Sequence, residues 1–179
     1  VPHIVPDTAL GNRHVVAPSQ RITLAGIGIG GRGSYDLGCF MKEPDVQFVA
    51  ICDVRADRRE SVKKRADAHY GNQDCVMYRD FREMLDTMGK RIDAVVVATP
   101  DHVHVPATVM ALKMGKHCYT EKPLGHNVHE VRQLTRVARR YGLATQLGNT
   151  GHSSQIYRVV VELIRAGTIG EVKEVHAWC

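Results

Sequence analysis

Ile22-Thr23-Leu24-Ala25-Gly26-Ile27-Gly28-Ile29-Gly30-Gly31-Arg32-Gly33 is the stretch from which the rest of the chain is read. Residues 22–27 are apolar and partly β-branched, the pattern of a buried strand. They run into a turn where Gly28, Gly30 and Gly33 satisfy G-x-G-x-x-G, and a helix-compatible segment, Ser34 to Met41, follows. A second apolar run, Val46 to Cys52, ends in Asp53. That acid lies about 20 residues past the last glycine, the spacing of a ribose-binding carboxylate.

Each piece has a physical task. Gly28 permits the tight turn out of the strand, Gly30 lets backbone approach a pyrophosphate with no Cβ between, and Gly33 allows close helix–strand packing. The free amides and positive dipole end of the helix then face the phosphates, with Gly31 and Arg32 in the same turn. Arg32 reads either as a pyrophosphate partner or as a solvated side chain. Asp53 accepts hydrogen bonds from ribose hydroxyls and repels a 2′-phosphate, which favours NAD over NADP, although Arg55 nearby works against that preference. Gly26, Gly28 and Gly31 fit the same spacing two residues earlier; the later register leaves a full-length strand before the turn.

Outward from this stretch, strands and helices alternate. Arg55 to Tyr70 reads as a charged helix closed by Gly71, Cys75 to Tyr78 as a short strand and Asp80 to Met88 as a short helix. Ile92 to Ala98 is the most strand-like run; it leads into Thr99-Pro100-Asp101-His102-Val103-His104, with a helix continuing from Pro106 to Met114. His117 to Thr120 is a strand, Asn127 to Tyr141 a helix, Ala144 to Leu147 a strand, Ser153 to Ala166 a helix and Glu171 to Cys179 a last strand. This rhythm calls for an α/β fold, a doubly wound parallel sheet covered on both faces. Residues 1–20 read as an extended lead-in, 21–170 as the dinucleotide-binding domain, and 171–179 as the first strand of a further domain missing from this chain.

The chain has 179 residues, 44% hydrophobic and 24% charged, as in ordinary globular proteins. The net charge of +5 is spread over helices with acids interspersed, which reads as solvated faces rather than a nucleic-acid surface. No apolar run approaches the ~20 residues that span a bilayer. Five scattered cysteines without C-x-x-C indicate neither a disulfide framework nor a zinc site.

In a doubly wound sheet, ligands sit at the carboxyl ends of the strands. The Gly28–Gly33 turn, Asp53–Arg55, the Thr99–His104 segment and Glu121-Lys122-Pro123 therefore converge on one crevice, and Gly148 to His152 forms a fifth candidate loop. Lys122, beside an acid and before a proline, is the candidate catalytic group: partial desolvation would lower its pKa and let it move a hydroxyl proton as hydride leaves the carbon. A solvated lysine at a turn is the alternative. Asp101, His102 and His104 suggest packing against the cofactor ribose or nicotinamide rather than a metal site, because residues two apart share no helix face.

Taken in order, Gly28–Gly33, Cys52-Asp53-Val54, Ala98-Thr99-Pro100-Asp101-His102-Val103-His104 and Glu121-Lys122-Pro123 resemble the Gfo/Idh/MocA oxidoreductase family over residues 20–179. The resemblance implies a Rossmann domain followed by a larger α/β domain that builds the substrate pocket and a homo-oligomer interface. It implies catalysis by Lys122, a loop shaped by Glu121 and Pro123, and a cofactor lined by Thr99, Pro100 and His102. The implied activity is hydride transfer between NAD and a sugar or polyol carbon, by a whole protein of which this chain is the cofactor domain, inactive alone. An NAD-dependent redox-assisted glycosidase and a non-catalytic dinucleotide-binding module are the other readings. The lead-in and the Leu147–His152 loop resemble a bacterial branch made with a twin-arginine export signal, so both cytoplasm and periplasm stay open.

Overall fold

The computed structural model describes residue 11 and residues 16–178, so most of the lead-in expected over residues 1–20 lies outside the described residues. Pro18–Gln20 form a 3₁₀ turn before the first strand. The chain divides into two compact units, Val1–Gly148 and Asn149–Cys179.

The first unit is built on six strands: β1 (Ile22–Ile27), β2 (Val46–Cys52), β3 (Val76–Tyr78), β4 (Ala94–Val97), β5 (His117–Glu121) and β6 (Thr145–Gly148). Five helices connect them: α1 (Gly31–Phe40), α2 (Ala56–Tyr70), α3 (Phe81–Met88), α4 (Asp101–Lys113) and α5 (Val128–Tyr141). Every neighbouring pair of strands is parallel, in the order β3-β2-β1-β4-β5-β6. The order reverses direction between β1 and β4, the topological switch point at which such sheets bind ligands.

Apolar runs make these strands because both faces are buried. Leu24, Phe48, Ile51 and Val96 face one cluster with Leu37 of α1 and Val62 and Ala66 of α2. Ala25, Ile27, Val49, Val95 and Val97 face the other, with Met84 and Leu85 of α3 and Leu112 of α4. Each large buried side chain adds about 1.5–3 kcal/mol. The charged run after Asp53 still becomes a helix, since Val62 and Ala66 four apart give it one buried stripe. Gly71 and Gly142 end α2 and α5 in the left-handed conformation, and Asn127 caps α5 by accepting from the Glu130 amide at 2.9 Å.

Two expectations change. The helix after β4 starts at Asp101, so Pro106 lies inside it and the connecting segment shrinks to Ala98–Pro100. Proline inside a helix forfeits one backbone bond, but Val105, Ala107, Ala111 and Leu112 are buried around it, and that packing outweighs the loss. No strand forms over residues 171–178, which are exposed and carry no regular secondary structure. A strand exists only as half of a hydrogen-bonded ladder, and no ladder involves this segment.

The second unit contains a 3₁₀ turn, Thr150–Ser153, and the helix α6 (Gln155–Arg165). No residue of α6 is buried, and Ile156, Tyr157, Val160 and Leu163 are exposed apolar side chains. No helix among the described residues is long and apolar enough to cross a membrane.

Candidate functional site

The crevice begins where β1 runs out. Gly28 takes φ +78°, and its amide donates to the Cys52 carbonyl at 2.8 Å. A Cβ there would stand 2.7 Å from the Thr99 amide nitrogen and 2.8 Å from the Ala98 carbonyl, so the exits of β1 and β4 are in backbone contact. Gly33 sits in the first turn of α1, where a Cβ would collide with the carbonyl oxygen of Gly28. Glycine at these two positions follows from backbone meeting backbone. Gly30 is the N-cap of α1, so the first turn of that helix begins at the crevice. Gly26, by contrast, lies within β1, its Cα hydrogens toward Ile29 and Leu37.

Asp53, at the tip of β2, is buried. Its carboxylate accepts from the Ile29 amide at 3.1 Å and the Arg55 amide at 3.0 Å, tying the glycine turn to the start of the next loop. Arg58 stands 3.7 Å from the same carboxylate, and its guanidinium overlies Gly30, close enough to fill the position of a Cβ there. Arg59 donates to the Asp53 carbonyl at 2.6 Å. Arg55, the residue weighed against an NAD preference, instead pairs with Asp57 at 2.7 Å on the exposed surface.

A cavity of about 620 Å³ opens over these strand tips. Gly28, Gly30, Gly31, Asp53, Thr99, Pro100 and His102 line it. The Thr99 hydroxyl is buried with no hydrogen-bond partner among the described residues. Arg58, Arg79, Phe81 and Arg82 also line the cavity. In the sequence these four carry no signal of a site, since the arginines of 55–65 have the pattern of a solvated helix face and the segment after β3 that of a short helix start. Since β3 pairs with β2, that loop necessarily opens beside Asp53. Asp80 caps α3 in the same loop, and the hydrogen bond from Arg82 holds its carboxyl at about 2.

Arg32, Gly33, Glu121 and Lys122 do not line this cavity. Arg32, itself exposed, pairs with two buried acids: its Nε lies 3.0 Å from Asp36 Oδ1 and 3.1 Å from Glu121 Oε1. Tyr119 donates to the same Glu121 oxygen at 3.2 Å. Burial pushes the Asp36 carboxyl up to about 6, the Glu121 charge adds to the rise and Arg32 opposes it. Burial and then Glu121 push the Tyr119 phenol up to about 12. Glu121 is thus a buried anchor between α1 and β5. Lys122, next to it, is exposed, and its backbone amide donates to Glu121 at 3.3 Å. The lysine side chain starts where the strand leaves the core. The Lys122–Pro123 peptide is cis.

The two histidines of the Asp101–His104 segment part company. His102 is exposed and lines the cavity, whereas His104 is buried. Among the described residues no three His, Cys, Asp or Glu side chains gather as a metal site. Cys52, Cys75 and Cys118 are buried free thiols, with Cys52 and Cys118 pushed up to about 12, chiefly by burial.

The geometry has counterparts. The chain is 28% identical over 178 residues to a glycosyl hydrolase family 109 protein from Shewanella sp. (strain W3-18-1), covering 93% of this chain and 37% of that protein. A myo-inositol 2-dehydrogenase from Lactobacillus plantarum superposes with a TM-score of 0.72 at 25% identity, over 85% of this chain and 43% of that one. KijD10, a 3-ketoreductase from Actinomadura kijaniata solved with NADP and TDP-benzene, gives 0.72 at 26% identity, over 84% and 44%. The chain therefore spans well under half the length of these relatives. The model of the Gfo/Idh/MocA oxidoreductase family, NAD-binding Rossmann fold, matches residues 22–149. That match begins with the first residue of β1 and ends one residue past β6, and on this extent the chain belongs to the Gfo/Idh/MocA family.

Proposed function

We propose that this chain is the cofactor domain of an NAD(H)-dependent oxidoreductase acting on a sugar or polyol carbon. The observation that carries the reading is the cradle at the switch point. Gly28 and Gly33 leave no room for a side chain, the N-terminal end of α1 opens at the switch point, and Asp53 stands at the neighbouring tip of a cavity of about 620 Å³. These residues fit a dinucleotide: glycine backbone and amides meet the pyrophosphate, Asp53 takes the ribose hydroxyls with its remaining lone pairs, and Thr99, Pro100 and His102 border the nicotinamide side.

When bound, the nicotinamide supplies or accepts hydride at its C4. The chain's own residues position and move the proton. Glu121, fixed by Arg32 and Tyr119, anchors the end of β5, and Lys122 extends from that anchor. Its Nζ exchanges a proton with the substrate hydroxyl as the C–H bond breaks or forms. Water exclusion around Nζ and recognition of the substrate fall to residues beyond this unit, and a homo-oligomer built through a further domain belongs to the same proposal.

Asp53 supports NAD as the preferred coenzyme, while the arginines beside it moderate the preference. Titration calorimetry of the protein with NAD and NADP tests this: a stronger response to NAD is expected, and no heat with either coenzyme would overturn the assignment. A second reading, an NAD-dependent glycosidase that oxidises transiently and regenerates its coenzyme, is favoured by the likeness to the Shewanella glycosyl hydrolase family 109 protein. Retention of Glu121-Lys122-Pro123 favours the dehydrogenase. Net NADH production with a polyol supports the first reading; glycoside cleavage without net redox change supports the second.

A further inference from the structure

We infer that His104 is a positioning residue, a doubly protonated imidazole that ties the backbone after β4 to the backbone that carries Lys122. It rests on the functional reading above for what the brace positions, and on geometry alone for the brace itself. His104 is 1% exposed. Its Nδ1 lies 2.6 Å from the carbonyl oxygen of Pro123, and its Nε2 lies 2.7 Å from the carbonyl oxygen of Thr99. Both partners are acceptors and nothing else.

A neutral imidazole carries one N–H donor and one bare nitrogen. With the neutral ring, one of these two contacts would set a nitrogen lone pair against an oxygen lone pair at hydrogen-bond distance. With both nitrogens protonated, both contacts become donated bonds, and their shortness matches charge-assisted N–H···O geometry. The first turn of α4 opposes the added charge through its dipole, and Asp101 in that turn offsets it. The other titratable groups on the elements that meet the ring are His102 and Lys113 on its own helix, His117, Cys118, Tyr119 and Glu121 on β5, Lys122 just after it, and the His126–Glu130 pair beyond Pro123. None of them forms an ion pair with His104 among the described residues, so the two carbonyl dipoles hold the ring.

The consequence is mechanical. Thr99 belongs to the cavity lining and Pro123 follows Lys122 directly, so one buried ring fixes the spacing between the coenzyme side of the crevice and the lysine backbone. Displacing a reacting group by an ångström costs on the order of 10²-fold in rate. His104→Gln keeps an N–H for one carbonyl and loses the other bond, and His104→Phe keeps the ring and loses both.

The first test needs no coenzyme and no turnover. Long-range ¹H–¹⁵N spectra of the full-length protein, with His104 assigned by its absence in His104→Gln, are expected to show protons on both ring nitrogens, exchanging slowly with water. One bare nitrogen overturns the inference. In steady-state kinetics, kcat is expected to fall on the order of 10²-fold in His104→Phe and less in His104→Gln, with NAD affinity nearly unchanged in both. Unaltered kcat in a folded His104→Phe protein overturns the positioning role. Should that variant not fold, the wild-type spectrum and His104→Gln decide. If the protein binds no dinucleotide, the proposed function fails while the spectrum still decides the brace.

Discussion

The two ends of the crevice are held by different kinds of contact. At the tips of β1 and β2, backbone meets backbone: Gly28 against Ala98 and Thr99, Gly33 against Gly28, the Ile29 amide on Asp53. At the tip of β5, side chains arrive from distant elements. Arg32 reaches Glu121 across 89 residues of sequence, and His104 reaches Pro123 across 19. The first end is a rigid cradle whose geometry leaves little choice of residue. The second is a bracket assembled by tertiary structure around one exposed lysine. In the proposed function, binding belongs to the cradle and turnover to the bracket.

The largest expected effect tests that division directly. In the full-length protein, Lys122→Ala should lower kcat by about 10²–10⁴-fold, the usual weight of a proton-transfer group, and leave NAD affinity nearly intact. Undiminished turnover would remove Lys122 from the chemistry and dissolve the contrast.

Next comes the cradle. Gly33→Ala forces a methyl group into the Gly28 carbonyl and should cost about 3 kcal/mol of stability, with NAD binding lost alongside. Chemical denaturation and calorimetry read the two effects; a variant as stable and as tight-binding as wild type would show that the turn is looser than its geometry implies.

The bracket carries a pH signature of somewhat smaller size. The Asp36 carboxyl is pushed from 3.8 to about 6 in the folded protein, so the native state holds an extra proton between those values. The stability this confers is complete below the unfolded value and is lost as pH rises through about 6, on the order of 2–3 kcal/mol in all. Asp36→Asn should flatten that part of the profile, and urea midpoints at pH 4 and pH 7 give the comparison. Equal slopes in variant and wild type would mean that burial of Asp36 is not what the bracket rests on.

The smallest effect is a control within the cradle. Gly31 takes φ +35°, but a Cβ there meets nothing within 4 Å. Gly31→Ala should cost about 1 kcal/mol of stability through backbone strain alone. A loss as large as that of Gly33→Ala would shift the tight contact to the wrong glycine.

The sheet, its order and the cradle were legible because they depend on local rules. A strand buried on both faces must be apolar throughout, as Val46–Cys52 is, and parallel strands joined by helices place their carboxyl ends together. Asp53 was found by its distance from Gly33. The arginines at 58, 79 and 82 were not, since a charged helix face and a cavity wall have the same composition until the pairing of β3 with β2 is known. Pro106 read as the start of a helix because its cost is local, while the burial that outweighs it comes from other elements.

The amino-acid sequence by itself determined the doubly wound sheet, the position of its switch point and the glycines and acid that stand there. Periodicity and steric freedom are properties of neighbouring residues. Tertiary structure alone decided that Arg32 turns to Glu121, that Arg58 covers Gly30, and that His104 leaves the crevice to hold two carbonyls inside the protein. The reason is that a side chain's partner is chosen by competition among all groups within its reach, and that set exists only once the chain has folded.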